Sequence, residues 1–335
     1  MEKPHVIPVK LLKLIAAKRY IRRKHPIIPT FEQDIASYSS GYQGELSIDF
    51  HINHILDPYH KLHNLYIPFK TWHFEIDTLL LLEKFLLALE IKNLRGDVYL
   101  EHEAGIMRQS YQNEEKRYQC PIVQVEKQAR QLNHWLNHRG HKVPVETLVV
   151  FVNPNVKLHN QHPKTIYPYV LSHIYYKLKN HYRNAPTIKN RDEIASQLIK
   201  ASTIPNPDVL SQYQLTFDDF EPGGICENCL QKSPKRQGWG WVCPSCHNKS
   251  LNNHIHTFKD LQLLFGPEIT TTEAAYWLQT STEVARYLLK KENYRKSGSH
   301  KRIKYHLNYN SQTDYQYLLD YNKNFYKMTL VTSSD

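Results

Sequence analysis

Long apolar runs are missing from this chain. The most apolar region, residues 79–89, is broken by Glu83 and Lys84, and no stretch reaches the length that spans a bilayer as a helix. A secretory leader is not expected either. In the opening MEKPHVIPVKLLKLIAAKRYIRRKHP the apolar patch is short, and the basic cluster follows it instead of preceding it. Cysteine is scarce: of five, four fall in two C-x-x-C pairs. The expected compartment is therefore the cytoplasm, where thiols stay reduced and such pairs point to metal rather than disulfides. Acid is short relative to base, 32 residues against 43, for a formal net charge of +11. That imbalance favours a polyanionic partner, nucleic acid ahead of anionic membrane, and speaks of association, not of fold. A disordered composition is absent too, since 41% hydrophobic and 12% aromatic residues suit a folded protein.

A length of 335 residues allows two or three domains. The stretch WHFEIDTLLLLEKFLLALEIKNLRG, residues 72–96, organises the first. It predicts a hairpin of two strands, 74–82 and 85–93. Alternation along a strand sends Glu90 and Lys92 the same way, with Ile91 buried opposite. Asp77 lies within the first apolar run, where a carboxylate is costly unless paired. A hard divalent cation is a natural partner for Asp77 and Glu90 together, and an ammonium at Lys92 could orient a water or hold a phosphate.

Gly44-Glu45, Glu75-Ile76-Asp77, Glu90-Ile91-Lys92-Asn93 with Gly96, and Pro121-Ile122-Val123-Gln124 follow one another in an order that resembles the nuclease-related domain, NERD, of the PD-(D/E)XK nuclease superfamily. The likeness runs over residues 38–180, with one departure: Cys120-Pro121 stands where the family usually carries Asn-Pro. The resemblance implies an α/β fold, a restriction-endonuclease-like mixed sheet flanked by helices. It implies that Glu45, Asp77 and Glu90, with the main-chain carbonyl of Ile91, hold Mg2+ or Mn2+. Lys92 would then orient the attacking water or stabilise the transition state, and Gln124 would position water or phosphate. The superfamily leaves a 5′-phosphate and often pairs subunits to cut both strands, so a homodimer stays open.

Around this centre the pattern predicts a helix over 8–24 ending in Lys18, Arg19, Arg22, Arg23 and Lys24. That basic end is either dipole-matched and solvated or a phosphate-contacting arm. A helix over 30–56 carries Glu45. Residues 62–69, the hairpin and 97–100 are expected to form one sheet of about four strands, with 101–120 an exposed strand–loop region. Residues 121–139 are helical, with Val125, Ala129, Leu132 and Leu136 on one face; Gln128 and Gln131 are expected in solvent. A doubly buried strand is expected at 146–152, a short strand at 166–167, and helices at 170–180 and 192–201. The domain division expected is a basic N-terminal arm, 1–37; the nuclease-like domain, 38–201; a linker, 202–222; a ribbon, 223–250; and a last module, 256–327.

Cys226-x-x-Cys229 and Cys243-x-x-Cys246, thirteen residues apart, resemble a zinc ribbon in which four thiolates close a structural Zn2+ site. Lys232, Lys235, Arg236, Trp239 and Trp241 interleave charge with aromatic faces in the loop between. Lys235, Arg236 and Trp239 are read as nucleic-acid contacts, and Trp241 as cover for a small core. Cys120 reads as a buried thiol. Residues 269–291 resemble a helix-turn-helix, and 294–306 the wing of a winged helix. Eight basic residues stand against one acid, Glu292, between Arg286 and Lys304. Arg286, Lys290, Lys291, Arg295, Lys296, Lys301 and Arg302 form the expected DNA footprint. The functional expectation is a metal-dependent nuclease acting on nucleic acid, DNA first, without membrane. A DNA-binding regulator that uses the nuclease-like fold as scaffold is the alternative, and a membrane-surface protein a third.

Overall fold

The computed structural model describes residues 1–231, 234–299 and 303–332, with the side chains of 325–332 apart. The chain divides into two compact units, Met1–Val6 with Tyr38–Pro205 and Ile7–Ser37 with Asn206–Asp335. No helix among the described residues is long and apolar enough to cross a membrane.

The chain begins with a short strand β1 (Glu2–Lys3), then helix α1 (Val9–Tyr20), which belongs to the second unit, and helix α2 (Ile28–Ile52), which starts in the second unit and ends in the first. An antiparallel meander follows, β2 (His60–Phe69), β3 (Trp72–Leu81) and β4 (Leu86–Lys92). Next come β5 (Gly96–Glu101), β6 (Ile106–Tyr111) and β7 (Glu114–Gln119), then helix α3 (Pro121–Asn137). Strands β8 (Val145–Phe151), β9 (Val156–His159) and β10 (Thr165–Ile166) and helices α4 (Leu171–His181) and α5 (Arg191–Ala201) complete the first unit.

The main sheet has the order β1-β2-β3-β4-β8-β10. Its β4–β8 and β8–β10 pairs are parallel, and so is β1–β2. Both faces are covered, which explains why β3 and β4 read as nearly unbroken leucine. Leu79, Leu81 and Ala88 face one way and pack with Leu132, Trp135 and Leu136 of α3 and Ile194 and Leu198 of α5. Leu80, Leu87 and Leu89 face the other way, against Ile48 and Ile52 of α2 and Leu171 and Tyr175 of α4. Each such leucine taken fully out of water contributes about 1.5–3 kcal/mol, and together they fix the register of the strands that carry the site.

The expected single sheet of four strands is corrected. Residues 97–100 do not join the hairpin but seed a second sheet, ordered β7-β6-β5-β9. Gly96, at φ +79°, turns the chain out of β4, and β4 takes β8 as its neighbour instead. The strand at Val156–His159, which the sequence reading left out, closes this second sheet against β5 in parallel. The other edge strand, β7, is exposed along its whole length and strongly charged, which guards an open edge against pairing with another chain. Cys120 is fully buried between this sheet and α3.

In the second unit, α1 buries Leu11, Leu12, Leu14 and Ile15. A short helix α6 (Val209–Gln212) precedes three small strands, β11 (Lys235–Gln237), β12 (Gly240–Val242) and β13 (Lys249–Ser250), joined in one sheet. Then come α7 (Asn253–Phe265), β14 (Glu268–Thr270), α8 (Thr271–Leu278), α9 (Thr282–Lys291), β15 (Arg295–Ser297), β16 (Lys304–His306) and α10 (Gln316–Thr332). Thr270 and Glu273 cap α8 reciprocally. Gln279, at φ 50°, ends that helix, and Ser281 caps α9, so the two helices meet at a tight turn. Strand β16 pairs antiparallel with both β14 and β15.

Candidate active site and cysteine cluster

The main sheet forks where β3 and β4 part. Their ladder runs from Leu81↔Leu86 to Thr78↔Leu89 and ends there, while β4 keeps its pairing to β8 as far as Lys92↔Phe151. Ile91 thus loses a backbone partner on the β3 side. The Asp77 carboxylate fills the gap: its Oδ2 accepts the Ile91 N–H at 2.7 Å. Glu90 and Lys92 share a face of β4, as strand alternation requires. The Lys92 ammonium donates to Glu90 Oε1 at 2.6 Å and to Gln124 Oε1 at 3.2 Å.

Glu45 reaches the same region from α2. Gly44 lets the helix in: a Cβ there would meet the Asn93 Cβ at 2.6 Å. Asn93 is fixed in turn, donating to the Ser40 carbonyl at 2.7 Å and accepting from Asn153 at 2.8 Å. Asn64, held at φ 47°, donates to Glu45 Oε2 at 2.5 Å.

Gln128 is the residue that sequence reasoning put in the wrong place. It is 7% exposed instead of solvated, and its amide donates to Glu90 Oε2 at 3.0 Å. Gln124 and Gln128 stand four residues apart and so share a face of α3. That spacing was the available signal, and a polar stripe on an amphipathic helix hid it. Gln131 is only half-buried.

Burial, then repulsion from Glu90 and Glu45, raises the Asp77 carboxyl well above its ordinary value. Burial likewise pushes Glu45 from 4.5 to about 7, with Asn64 pulling against it and Glu90 and Glu75 adding to it. For Lys92 burial acts downward, but the charges of Glu90 and Asp77 outweigh it and the ammonium is held above its usual value. Acids that cannot easily ionise, beside one cation, offer hard oxygens short of positive charge, the donor chemistry that a metal ion could use. The three carboxylates do not all bring an oxygen within 4.8 Å of one another; in this arrangement Lys92 supplies the charge that Glu90 faces.

The four paired cysteines converge. Their sulfurs all lie within 4.8 Å of one another, with Cys226–Cys246 and Cys229–Cys243 each at 3.6 Å, and none is in a disulfide. The two knuckles are built alike. Leu230 and His247, directly after the second cysteine of each pair, both sit at φ 58°. Leu230 N–H donates to the Cys226 carbonyl and His247 N–H to the Cys243 carbonyl, each at 2.9 Å. The Asn248 backbone N–H draws the Cys246 thiol down to about 6, whereas burial pushes Cys229 up to about 12. Such a cluster can hold a metal ion.

The basic residues expected at nucleic acid are spread over the second unit. Arg286, Lys290, Lys291, Arg295 and Lys296 are exposed. Lys235 donates to Gln279 Oε1 at 3.2 Å, and the Arg236 guanidinium lies 5.5 Å from the centroid of the Trp241 ring. Trp241 is buried, while Trp239 is 79% exposed and its ring centroid is 6.1 Å from that of Tyr287, a second exposed aromatic the sequence reading did not single out. Lys232, Lys301 and Arg302 lie outside the described residues. Arg19, read as part of a basic helix end, is instead buried against Asp260 at 3.0 Å.

The forked sheet with its carboxylates and one lysine is set in an α/β unit, and part of that unit is similar to a known family. The family model described as "Nuclease-related domain", NERD, matches residues 40–152. That span includes Glu45, Asp77, Glu90, Lys92, Gln124 and Gln128. No curated protein and no solved structure matches the chain.

Proposed function

We propose that the protein is a metal-dependent nuclease of the PD-(D/E)XK type that hydrolyses phosphodiester bonds, DNA first. The observation that carries this reading is the fork: the Asp77 carboxylate on the Ile91 N–H, with Glu90 and Lys92 side by side on the strand that peels away. A scaffold without chemistry has no use for two buried acids with raised pKa values beside a lysine.

Glu45, Asp77, Glu90 and the carbonyl of Ile91 would hold one or two Mg2+ or Mn2+ ions. Bound there, such an ion lowers the pKa of a coordinated water and offsets charge on the scissile phosphate. Lys92, released from Glu90, directs its ammonium at the attacking water or at the negative charge that grows on the phosphoryl oxygens. Gln124 steadies that ammonium, and Gln128 keeps the Glu90 carboxylate turned toward the fork. Attack is in line and leaves a 5′-phosphate. The restriction-endonuclease-like fold belongs to the same proposal.

The four thiolates suit Zn2+. Tetrahedral Zn–S bonds of about 2.3 Å separate neighbouring sulfurs by about 3.8 Å, close to the 3.6 Å found. With all four positions taken, the ion is structural. Helices α8 and α9 with strands β15 and β16 act as a winged helix-turn-helix, and with Trp239 of the ribbon they grip nucleic acid. Purified protein is to be incubated with linear, circular and single-stranded DNA and with RNA, with and without Mg2+. Cleavage should require the metal, and Asp77→Ala or Lys92→Ala should abolish it while binding survives. An Asp77→Ala protein that cuts like the parent overturns this assignment. Binding without cleavage by the parent, on every substrate, would favour a DNA-binding regulator.

A further inference from the structure

One turn along α2 from Glu45, on the same helix face, stands Asp49. Two histidines from distant parts of the chain close on it. His63 Nε2 lies 3.1 Å from Asp49 Oδ1, and His5 Nε2 lies 3.5 Å from Asp49 Oδ2. One ligand atom from each of the three falls within 4.8 Å of the others. The two imidazoles stack, with centroids 3.5 Å apart.

We propose that His5, Asp49 and His63 form a metal site of the two-histidine, one-carboxylate kind, suited to Zn2+ or a neighbouring divalent transition ion. It is separate from both the cysteine cluster and the candidate active site, and it does not depend on the cleavage reading.

The nitrogens argue for a ligand. The side chains of His5 and His63 are only 7% and 1% exposed. Yet both ring nitrogens of His5, and Nε2 of His63, lack a well-formed hydrogen bond, the two Nε2 atoms facing the Asp49 carboxylate without hydrogen-bond geometry. Buried polar atoms are nearly always well satisfied, so nitrogens turned on one carboxylate in this way suit an ion between them. His63 is also oriented as metal-bound imidazoles are: its Nδ1 sits 2.9 Å from the Thr78 hydroxyl, which leaves Nε2 for the ion. Burial lowers the pKa of both imidazoles, toward the neutral form that ligates. Imidazole nitrogen with one carboxylate selects Zn2+ over Mg2+. Three protein ligands leave a fourth position open, and Asp49, 34% exposed, gives that side access to solvent.

One group competes. The Lys61 ammonium lies 3.0 Å from Asp49 Oδ1. Glu2, 3.9 Å from the same ammonium, offers it another seat when an ion takes Asp49.

The test counts metal. Full-length protein with its cysteine cluster filled is dialysed against Zn2+ in excess Mg2+, and bound zinc is measured by mass spectrometry. The parent should keep about one further equivalent, which His5→Gln and Asp49→Asn lose while melting as cooperatively as the parent. Asp77→Asn should keep it, which separates this site from the fork. Lys61→Met should tighten uptake by about tenfold or more, a gain that a purely structural histidine pair would not produce. Equal zinc in the parent and His5→Gln, or no change with Lys61→Met, overturns the site.

Discussion

Glu90 is held from two sides, by Lys92 on one oxygen and Gln128 on the other. Gln128 touches no phosphate in the proposed reaction and acts through Glu90, as a positioning residue. Gln128→Leu should lower kcat by about 10–100-fold and shift the pH–rate profile while KM changes little; an unaltered profile would assign it to packing alone. The raised carboxyls make a second prediction. With the Glu45 pKa lifted from 4.5 to about 7, the folded protein holds a proton that the unfolded chain has released. Metal-free stability therefore falls as pH climbs between those values and stays low above them. Mg2+, which needs the ionised carboxylates, should restore it at the alkaline end. Thermal melts in EDTA and in Mg2+ on either side of pH 7 check the sign. Asp77, Glu90 and Lys92 were legible because a two-residue period and a charge inside an apolar strand leave few readings. Gln128 was not, because a glutamine on a helix says nothing of what its face meets. The His5–His63 pair was invisible: no local pattern links residues on separate segments.

At the scale of elements, the site depends on how closely α2 approaches the end of β4. Gly44→Val places a branched side chain where Asn93 already sits, so it should cost about 1–3 kcal/mol of stability by overpacking and cut metal-dependent cleavage by moving Glu45. Denaturant melts and cleavage rates measure the two effects. The exposed Trp239, in the loop between the cysteine pairs, and Tyr287 of α9 meet edge to face. Replacing either with alanine should weaken nucleic-acid binding by about 1–3 kcal/mol in a titration, with the fork untouched. The strands and helices that line the fork were legible from apolar periodicity. The second sheet was not, because its strands are short and polar, and membership of a sheet is decided by partners far along the chain.

Across the whole molecule, the net charge of +11 makes nucleic-acid affinity steeply salt-dependent if several phosphates are contacted. The plot of log affinity against log salt should lose about one in slope for each of Arg286, Lys290 or Arg295 replaced by alanine. A slope unaffected by all three would move the footprint elsewhere. Composition announced the charge but not its distribution: Arg19, in the densest basic cluster of the N-terminal region, is spent on Asp260 inside the protein.

Helix α1 buries its leucines and lies beside α7 and α10, elements made more than two hundred residues later. At about 5–20 residues per second, that apolar stripe leaves the ribosome tens of seconds before its neighbours exist. The nascent chain must be sheltered over that interval, and slowing translation downstream of α1 should raise its demand for a holding chaperone.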